Sequence, residues 1–253
     1  MKKLYCPPAS KVGIRHITGH NAAGTRTEVN VRHFDPVLIS PKARAMPSIE
    51  YFYSAHSAFA YLGHARLTEI GEAAGADIIH KPYDLHHVME GMGVSGFAGR
   101  NPAHKAYYFK REIDRWAEYR NAPVLGHRPT HHDNDYHTAN GMLIAGLQQG
   151  LDICPLAHAM LEAHWRFDAD LNDRDALAEL AQKAGIDPEP LLDAARSDET
   201  QAVYQANTKE AVTRSVFGSP TYFVDGDMFY GQDRLELVER ALKMPFEGDW
   251  PIV

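Results

Sequence analysis

Three short stretches hold the residue types from which a reaction site could be assembled. In Ser54-Ala55-His56-Ser57-Ala58-Phe59-Ala60 an aromatic, strand-like pattern gives way to a helical one, and Ser57 sits at the junction. N–H groups at a helix start are unpaired and the macrodipole is positive there, so a thiolate or carboxylate held beside Ser57 would be stabilised. The same hydroxyl would also serve as an ordinary helix cap. His56, its neighbour, could act as an acid or base near neutral pH. The second stretch is Val216-Phe217-Gly218-Ser219-Pro220-Thr221. A cis Ser219-Pro220 bond would turn the preceding N–H and C=O toward a ligand, whereas a trans proline would simply open a strand. The third, Tyr230-Gly231-Gln232-Asp233-Arg234, opens a final helix. There Asp233 either offsets the dipole or binds an ammonium group while free N–H groups hold the adjacent carboxylate, and a γ-glutamyl end carries both.

Other candidates are weaker. The fifteen histidines include His86-His87, His127 and His131-His132, but their spacing lacks a ligand signature and no metal site is expected. Lys105 reads equally as a carboxylate-binding cation or as an exposed helical lysine, and Tyr107-Tyr108 as core or subunit contact.

The elements that must hold these residues follow from periodicity. Ile49 to Tyr53 is rich in aromatic strand formers, a helix follows from Ser57 to about Gly75, and Asp77 to Tyr83 reads as a second strand. This β-α-β unit implies two parallel strands bridged by a helix. Residues 101–214 have helical spacing, with Asp173 as a cap and Pro188 in a first turn. Strands return at Thr221–Val224 and Met228–Tyr230 around Asp225-Gly226, a tight-hairpin signal, before a helix over Gln232 to Leu242. The order predicts a thioredoxin-like α/β fold, residues 48–100 and 215–253, with an all-helical insertion at 101–214. Residues 1–47, rich in Gly, Pro, Asn, Arg and His, read as a loose arm.

A net charge of -7 and the lack of basic runs argue against nucleic acid, and no apolar run is long enough to span a bilayer. A small-molecule substrate fits better. Cys6 and Cys154 form neither a C-x-x-C motif nor a paired framework, which suits a cytoplasmic setting.

Taken together the stretches resemble the 2-hydroxychromene-2-carboxylate isomerase and kappa-class glutathione transferase family, which shares the DsbA-like thioredoxin fold. Ile49 to Leu62 is similar to its opening, with Ser57 at the catalytic serine and Ser57-x-x-Ala60 over the C-x-x-C of disulfide oxidoreductases. Phe217 to Thr221 is similar to the cis-proline segment, and Phe229 to Leu235 to the final turn that grips glutathione. Pro102 to Tyr107 and Asp114-Arg115-Trp116 look like two further family segments. Ala58 and Ala60 depart from the family's Pro and second Ser, and its Thr-Gly-Asn segment has no clean counterpart near Gly93 to Gly99. The resemblance implies glutathione as cofactor, Ser57 as catalytic residue, with His56 beside it as the catalytic acid or base that adjacency suggests, and Lys105, Ser219, Pro220, Gln232 and Asp233 as binding residues. It implies isomerisation of a conjugated, aromatic-derived keto acid by thiolate addition, rotation and elimination, in a homodimer. A transferase, or a binding module without catalysis, are the alternatives.

Overall fold

The computed structural model describes residues 46–91 and 101–248, and the backbone of 14–20 and 26–32. Cys6 and the Gly93 to Gly99 segment lie outside the described residues. Two compact units are present, residues 1–45 and residues 46–253.

In the first unit, β1 (Ile14–His20) and β2 (Arg26–Arg32) pair antiparallel, with Ile14 opposite Arg32. This differs from the loose arm expected of these residues. Val29 and Val31 alternate with polar neighbours, a short strand pattern set within a Gly- and Pro-containing stretch.

The second unit is built on a four-stranded sheet in the order β4-β3-β5-β6. β3 (Ser48–Tyr53) pairs parallel with β4 (Asp77–Pro82) and antiparallel with β5 (Thr221–Val224), which pairs with β6 (Asp227–Tyr230). Successive strand side chains point to opposite faces. Ile49, Tyr51 and Tyr53 accordingly enter the main core, while Phe52 joins a second cluster with Tyr83, Val88, Ala211, Val216 and Phe223. Both faces are covered, which is why β3 reads as almost continuously apolar.

Between β3 and β4 runs α1 (Ala58–Ala74), ended by Gly75 at φ 58°. Only the absence of a side chain makes that left-handed cap cheap. After α2 (Leu85–Gly91), a helical run from Pro102 to Arg120 comprises α3 (Pro102–Ala106), a wider π-type turn at Tyr107–Arg111, and α4 (Glu112–Arg120). Then come α5 (His137–Gln148), α6 (Cys154–Phe167), α7 (Arg174–Lys183), α8 (Pro188–Ala194) and α9 (Asp198–Thr213). Asp173 caps α7 through the N–H groups of Asp175 and Ala176, and Pro188 opens α8 behind the Asp187 cap. Asp225 and Gly226, at φ 50° and 89°, form the tight turn between β5 and β6. The last helix begins as a 3-10 turn at Gln232–Arg234 and continues as α10 (Leu235–Lys243).

Candidate functional site

The strand-to-helix junction and the proline segment meet. The Ser219-Pro220 bond is cis. Ser57 Oγ donates to the Ser219 carbonyl at 3.0 Å and accepts from Ala60 N–H at 3.3 Å, so one hydroxyl both caps α1 and reaches the strand opposite. The Ser54 N–H donates to Ser219 Oγ at 3.2 Å, a second tie across the same gap. Ser57 is 7% exposed. Its hydroxyl carries one proton and can release Ser219 only by finding another acceptor.

Behind this junction stands Asn140 of α5, fully buried. Its Oδ1 accepts the Ala55 N–H at 2.9 Å, which fixes its amide as a donor to Ser54 Oγ (3.3 Å), the Tyr83 carbonyl (3.4 Å) and Tyr204 OH (3.1 Å). Trp165 Nε1 of α6 donates to the His56 carbonyl at 2.8 Å. The inserted helices therefore grip the backbone on either side of the turn leading to Ser57.

His56 is not drawn to Ser57. Its Nδ1 lies 2.9 Å from Ser54 Oγ, and its ring stacks on Tyr136 at 3.9 Å between centroids. Burial, reinforced by His132, His86 and His164, holds its pKa well below the usual imidazole range, so it is neutral. The direct acid or base contact with Ser57 expected from adjacency in sequence is replaced by an aromatic cluster, because consecutive residues of this turn point in different directions. Nearby, Asp84 accepts from Tyr136 OH at 3.1 Å and pairs with His137 Nε2 at 3.2 Å, while His137 Nδ1 meets Asp135.

The remaining candidates lie on the last turn before α10 and on α3. Gln232 is 1% exposed and packs so closely on α1 that a Cβ at Gly63 would come within 2.6 Å of its Cβ. Arg120 holds it twice, through Nε to Oε1 and Nη2 to the main-chain oxygen, both at 3.3 Å. Asp233 is exposed and pairs with Arg234, and the Gly231 N–H donates to the Pro220 carbonyl at 2.9 Å, joining this turn to the proline segment. Lys105 is half-buried in the last turn of α3. The turn that follows packs Tyr108 on Phe59 of α1, with ring centroids 5.1 Å apart. Among the described residues no cluster of His, Cys, Asp or Glu could hold a metal ion.

The pattern of the DSBA-like thioredoxin domain matches residues 48–243. The chain belongs to that family. Within the family it is 27% identical over 195 residues to the 2-hydroxychromene-2-carboxylate isomerase of Sphingobium xenophagum, covering 77% of this chain and 97% of the relative. It is 29% identical to the enzyme of the same name from Pseudomonas sp. strain C18, covering 77% and 89%. A solved 2-hydroxychromene-2-carboxylate isomerase superposes with a TM-score of 0.65 at 26% identity, over 78% of this chain and 94% of that one. A probable DsbA oxidoreductase from Streptomyces coelicolor shares the fold at TM-score 0.65 and 18% identity, over 82% and 93%. The names of the curated relatives support an isomerase on this DSBA-like scaffold. For the substrate, a small molecule is the class those names carry.

This DSBA-like site also uses residues that sequence reasoning did not single out. Asn140 is the one polar residue in the buried run from Ala139 to Gly146, and that isolation was a usable signal. Trp165 and Tyr136 offered none, since distant contacts alone give them their place. Arg120 was hidden by an ordinary charged helix surface.

Proposed function

We propose that this protein is a glutathione-dependent isomerase of conjugated, aromatic-derived keto acids. The observation that carries this reading is the Ser57 hydroxyl bridging the start of α1 and the Ser219 carbonyl in a nearly closed setting. The residues present fit glutathione: a helix start and a hydroxyl for a thiolate, a strand-entry carbonyl for a peptide N–H, and the carboxylate of Asp233 for an ammonium group. When bound, glutathione supplies a thiolate that adds reversibly to a conjugated carbon and leaves unchanged.

With glutathione bound, Ser57 would be free to turn its proton from the Ser219 carbonyl to the sulfur, and with the α1 dipole would lower the thiol pKa. The Ser219 carbonyl would then be available to hold a peptide N–H of the ligand. Lys105 is assigned to the glycine carboxylate, and Gln232 and Asp233 to the γ-glutamyl end. Asn140 and Trp165 keep the Ser54 to Ser57 turn in place while the hydroxyl changes partner. A serine cannot form a mixed disulfide, which disfavours oxidoreductase chemistry at this position.

Calorimetric titration with reduced glutathione, followed by assay of a hydroxychromene carboxylate, tests the reading. The expected result is binding and a spectral change without loss of free thiol. Stoichiometric thiol loss would mark a transferase, and no binding would overturn the proposal.

A further inference from the structure

One side chain of the inserted helices grips the last turn of the thioredoxin-like half. Arg120 ends α4 with its side chain only 10% exposed and its guanidinium over the rings of Trp116 and Tyr119, at 5.3 and 5.5 Å. Its Nε donates to Gln232 Oε1 and its Nη2 to the Gln232 main-chain oxygen, both at 3.3 Å, while Nη1 donates to Glu236 at 2.9 Å. A guanidinium presents its N–H groups in a rigid planar fork, so holding one residue by side chain and main chain together fixes that residue's orientation. A lysine lacks that fork.

Gln232 passes the constraint on. Its Oε1 is taken by Arg120 and the residue is 1% exposed, so the side chain is a handle for the turn and not a surface for a ligand. What Gln232 can offer a ligand is its main-chain N–H, which at the start of a helix has no intrahelical acceptor. On one side of it, the Gly231 N–H donates to the Pro220 carbonyl at 2.9 Å, next to the cis bond whose Ser219 carbonyl receives the Ser57 hydroxyl. On the other, Asp233 is exposed, and the Arg234 N–H closes the turn on the Gly231 carbonyl at 3.1 Å. The Gln232 side chain also abuts Gly63 of α1, the helix that Ser57 caps. Arg120 is thus joined to both elements that meet at Ser57, each time through Gln232.

We infer that Arg120 is a positioning residue for the glutathione site: by gripping Gln232 it fixes the Gly231 to Asp233 turn, and through Gly231 the cis-proline segment, in the arrangement that receives the γ-glutamyl end. The choice of ligand rests on the proposed function; the grip on the turn does not. A residue acting in this way sets how tightly glutathione is held and leaves the step at the sulfur alone, because it stands behind the turn and not at the reacting atoms.

The test uses the full-length chain. Amide hydrogen exchange without ligand reads the grip: Arg120→Met, which keeps the packed stem and removes every donor, is expected to speed exchange of the Gly231 and Arg234 amides by about tenfold while those of α7 keep the wild-type rate. Glu236→Gln keeps both bonds to Gln232 and is expected to leave the same amides unchanged. Unchanged exchange in Arg120→Met, or equal acceleration in Glu236→Gln, overturns the inference. Calorimetry and kinetics read the consequence. Arg120→Met is expected to bind reduced glutathione about tenfold more weakly and, at saturating glutathione, to keep kcat for a hydroxychromene carboxylate within about threefold of wild type. Wild-type affinity in this variant, or a fall in kcat larger than the fall in affinity, overturns the inference as well. Should Arg120→Met fail to fold, Gln232→Met, which removes one of the two acceptors, is put through the same measurements. Wild type that binds no glutathione overturns the proposed function and the ligand with it, and the exchange rates then judge the grip alone.

Discussion

Ser57 and Ser219 stand 162 positions apart in sequence and share a 3.0 Å hydrogen bond in which the side chain of one donates to the main chain of the other. The bond separates two roles of Ser57. As a cap, its loss costs about 1 kcal/mol. As the donor to a developing thiolate, its loss costs on the order of a hundredfold in kcat. Ser57→Ala is therefore expected to lower the melting temperature by about 2–4 °C while leaving glutathione affinity within a few fold and nearly abolishing turnover. Turnover equal to wild type would reduce Ser57 to a cap.

Asn140→Ala should be far more damaging to stability than its single side chain suggests. It leaves the Ala55 N–H without its acceptor and removes the donor to Tyr204 and the Tyr83 carbonyl inside the core. Each buried polar group left unpaired costs about 1–3 kcal/mol, so a loss on the order of 3 kcal/mol is expected. An unfolding free energy, measured in urea, lowered by less than about a fifth of that would show that water replaces the amide.

Acid should unfold the protein early. Burial, followed for His64 by His80 and His158, takes the pKa of His64 to about 3 and that of His80 to about 4. Both lie below the ordinary value of about 6.5 that they regain on unfolding. Between those limits the unfolded chain binds more protons, so stability falls as pH falls below about 6.5. His137 has the opposite sign: its bonds to Asp84 and Asp135 outweigh burial and raise its pKa, adding stability below about 6.5 that is lost as pH rises through the higher folded value. His64→Leu should remove up to about 1.4 kcal/mol per pH unit from the slope between pH 5 and 6. An unaltered slope in chemical denaturation at pH 5, 5.5 and 6 would refute this.

Gly231 has φ 98°, and a Cβ there would approach Asp233 Oδ1 to 2.4 Å. Gly231→Ala combines a left-handed strain with a push on the carboxylate assigned to the γ-glutamyl amine. A loss of more than about 1 kcal/mol in stability is expected together with weaker glutathione binding. Asp233→Asn, being exposed, should weaken binding and leave the melting temperature alone. Parallel calorimetry and thermal melts on the two variants distinguish strain from lost charge.

What the sequence made legible was local. Gly75, Asp173, Pro188 and the Asp225-Gly226 turn each act within a few residues, and the structure uses each as its residue type suggests. The site was half legible. Ser57 and Ser219 announced themselves through their positions at element junctions, but the amide that steadies them comes from Asn140, 85 residues from Ala55. No spacing rule reaches that far. His56 misled for the converse reason: neighbours in sequence at a turn need not be neighbours in the site, and its imidazole found Tyr136 instead.

Converting the site to redox chemistry tests the relation to the disulfide oxidoreductases that share this fold. Ser57 already places its γ-oxygen 3.3 Å from the Ala60 N–H, and residues three apart at a helix start bring their β-carbons to about 5–6 Å. A thiol at each position therefore lies within the usual reach of a disulfide after a small adjustment. The sulfur at position 57 would meet the positive end of α1, which pulls a thiol from about 8.5 to roughly 3.5–7.5. Ala60 is fully buried, so the second sulfur must fit where only a methyl now stands, at a stability cost of about 1–3 kcal/mol. The double variant Ser57→Cys with Ala60→Cys is expected to form an internal disulfide in oxidised glutathione buffer and to catalyse insulin reduction by dithiothreitol, with no such catalysis expected of wild type. The single variant Ser57→Cys should show alkylation by iodoacetamide that persists below pH 7. Four thiols titrating as free in the oxidised double variant, the native Cys6 and Cys154 among them, or alkylation of position 57 in the single variant that disappears below pH 8, would show that the helix start does not stabilise sulfur, and would remove the physical basis for a thiolate at this site.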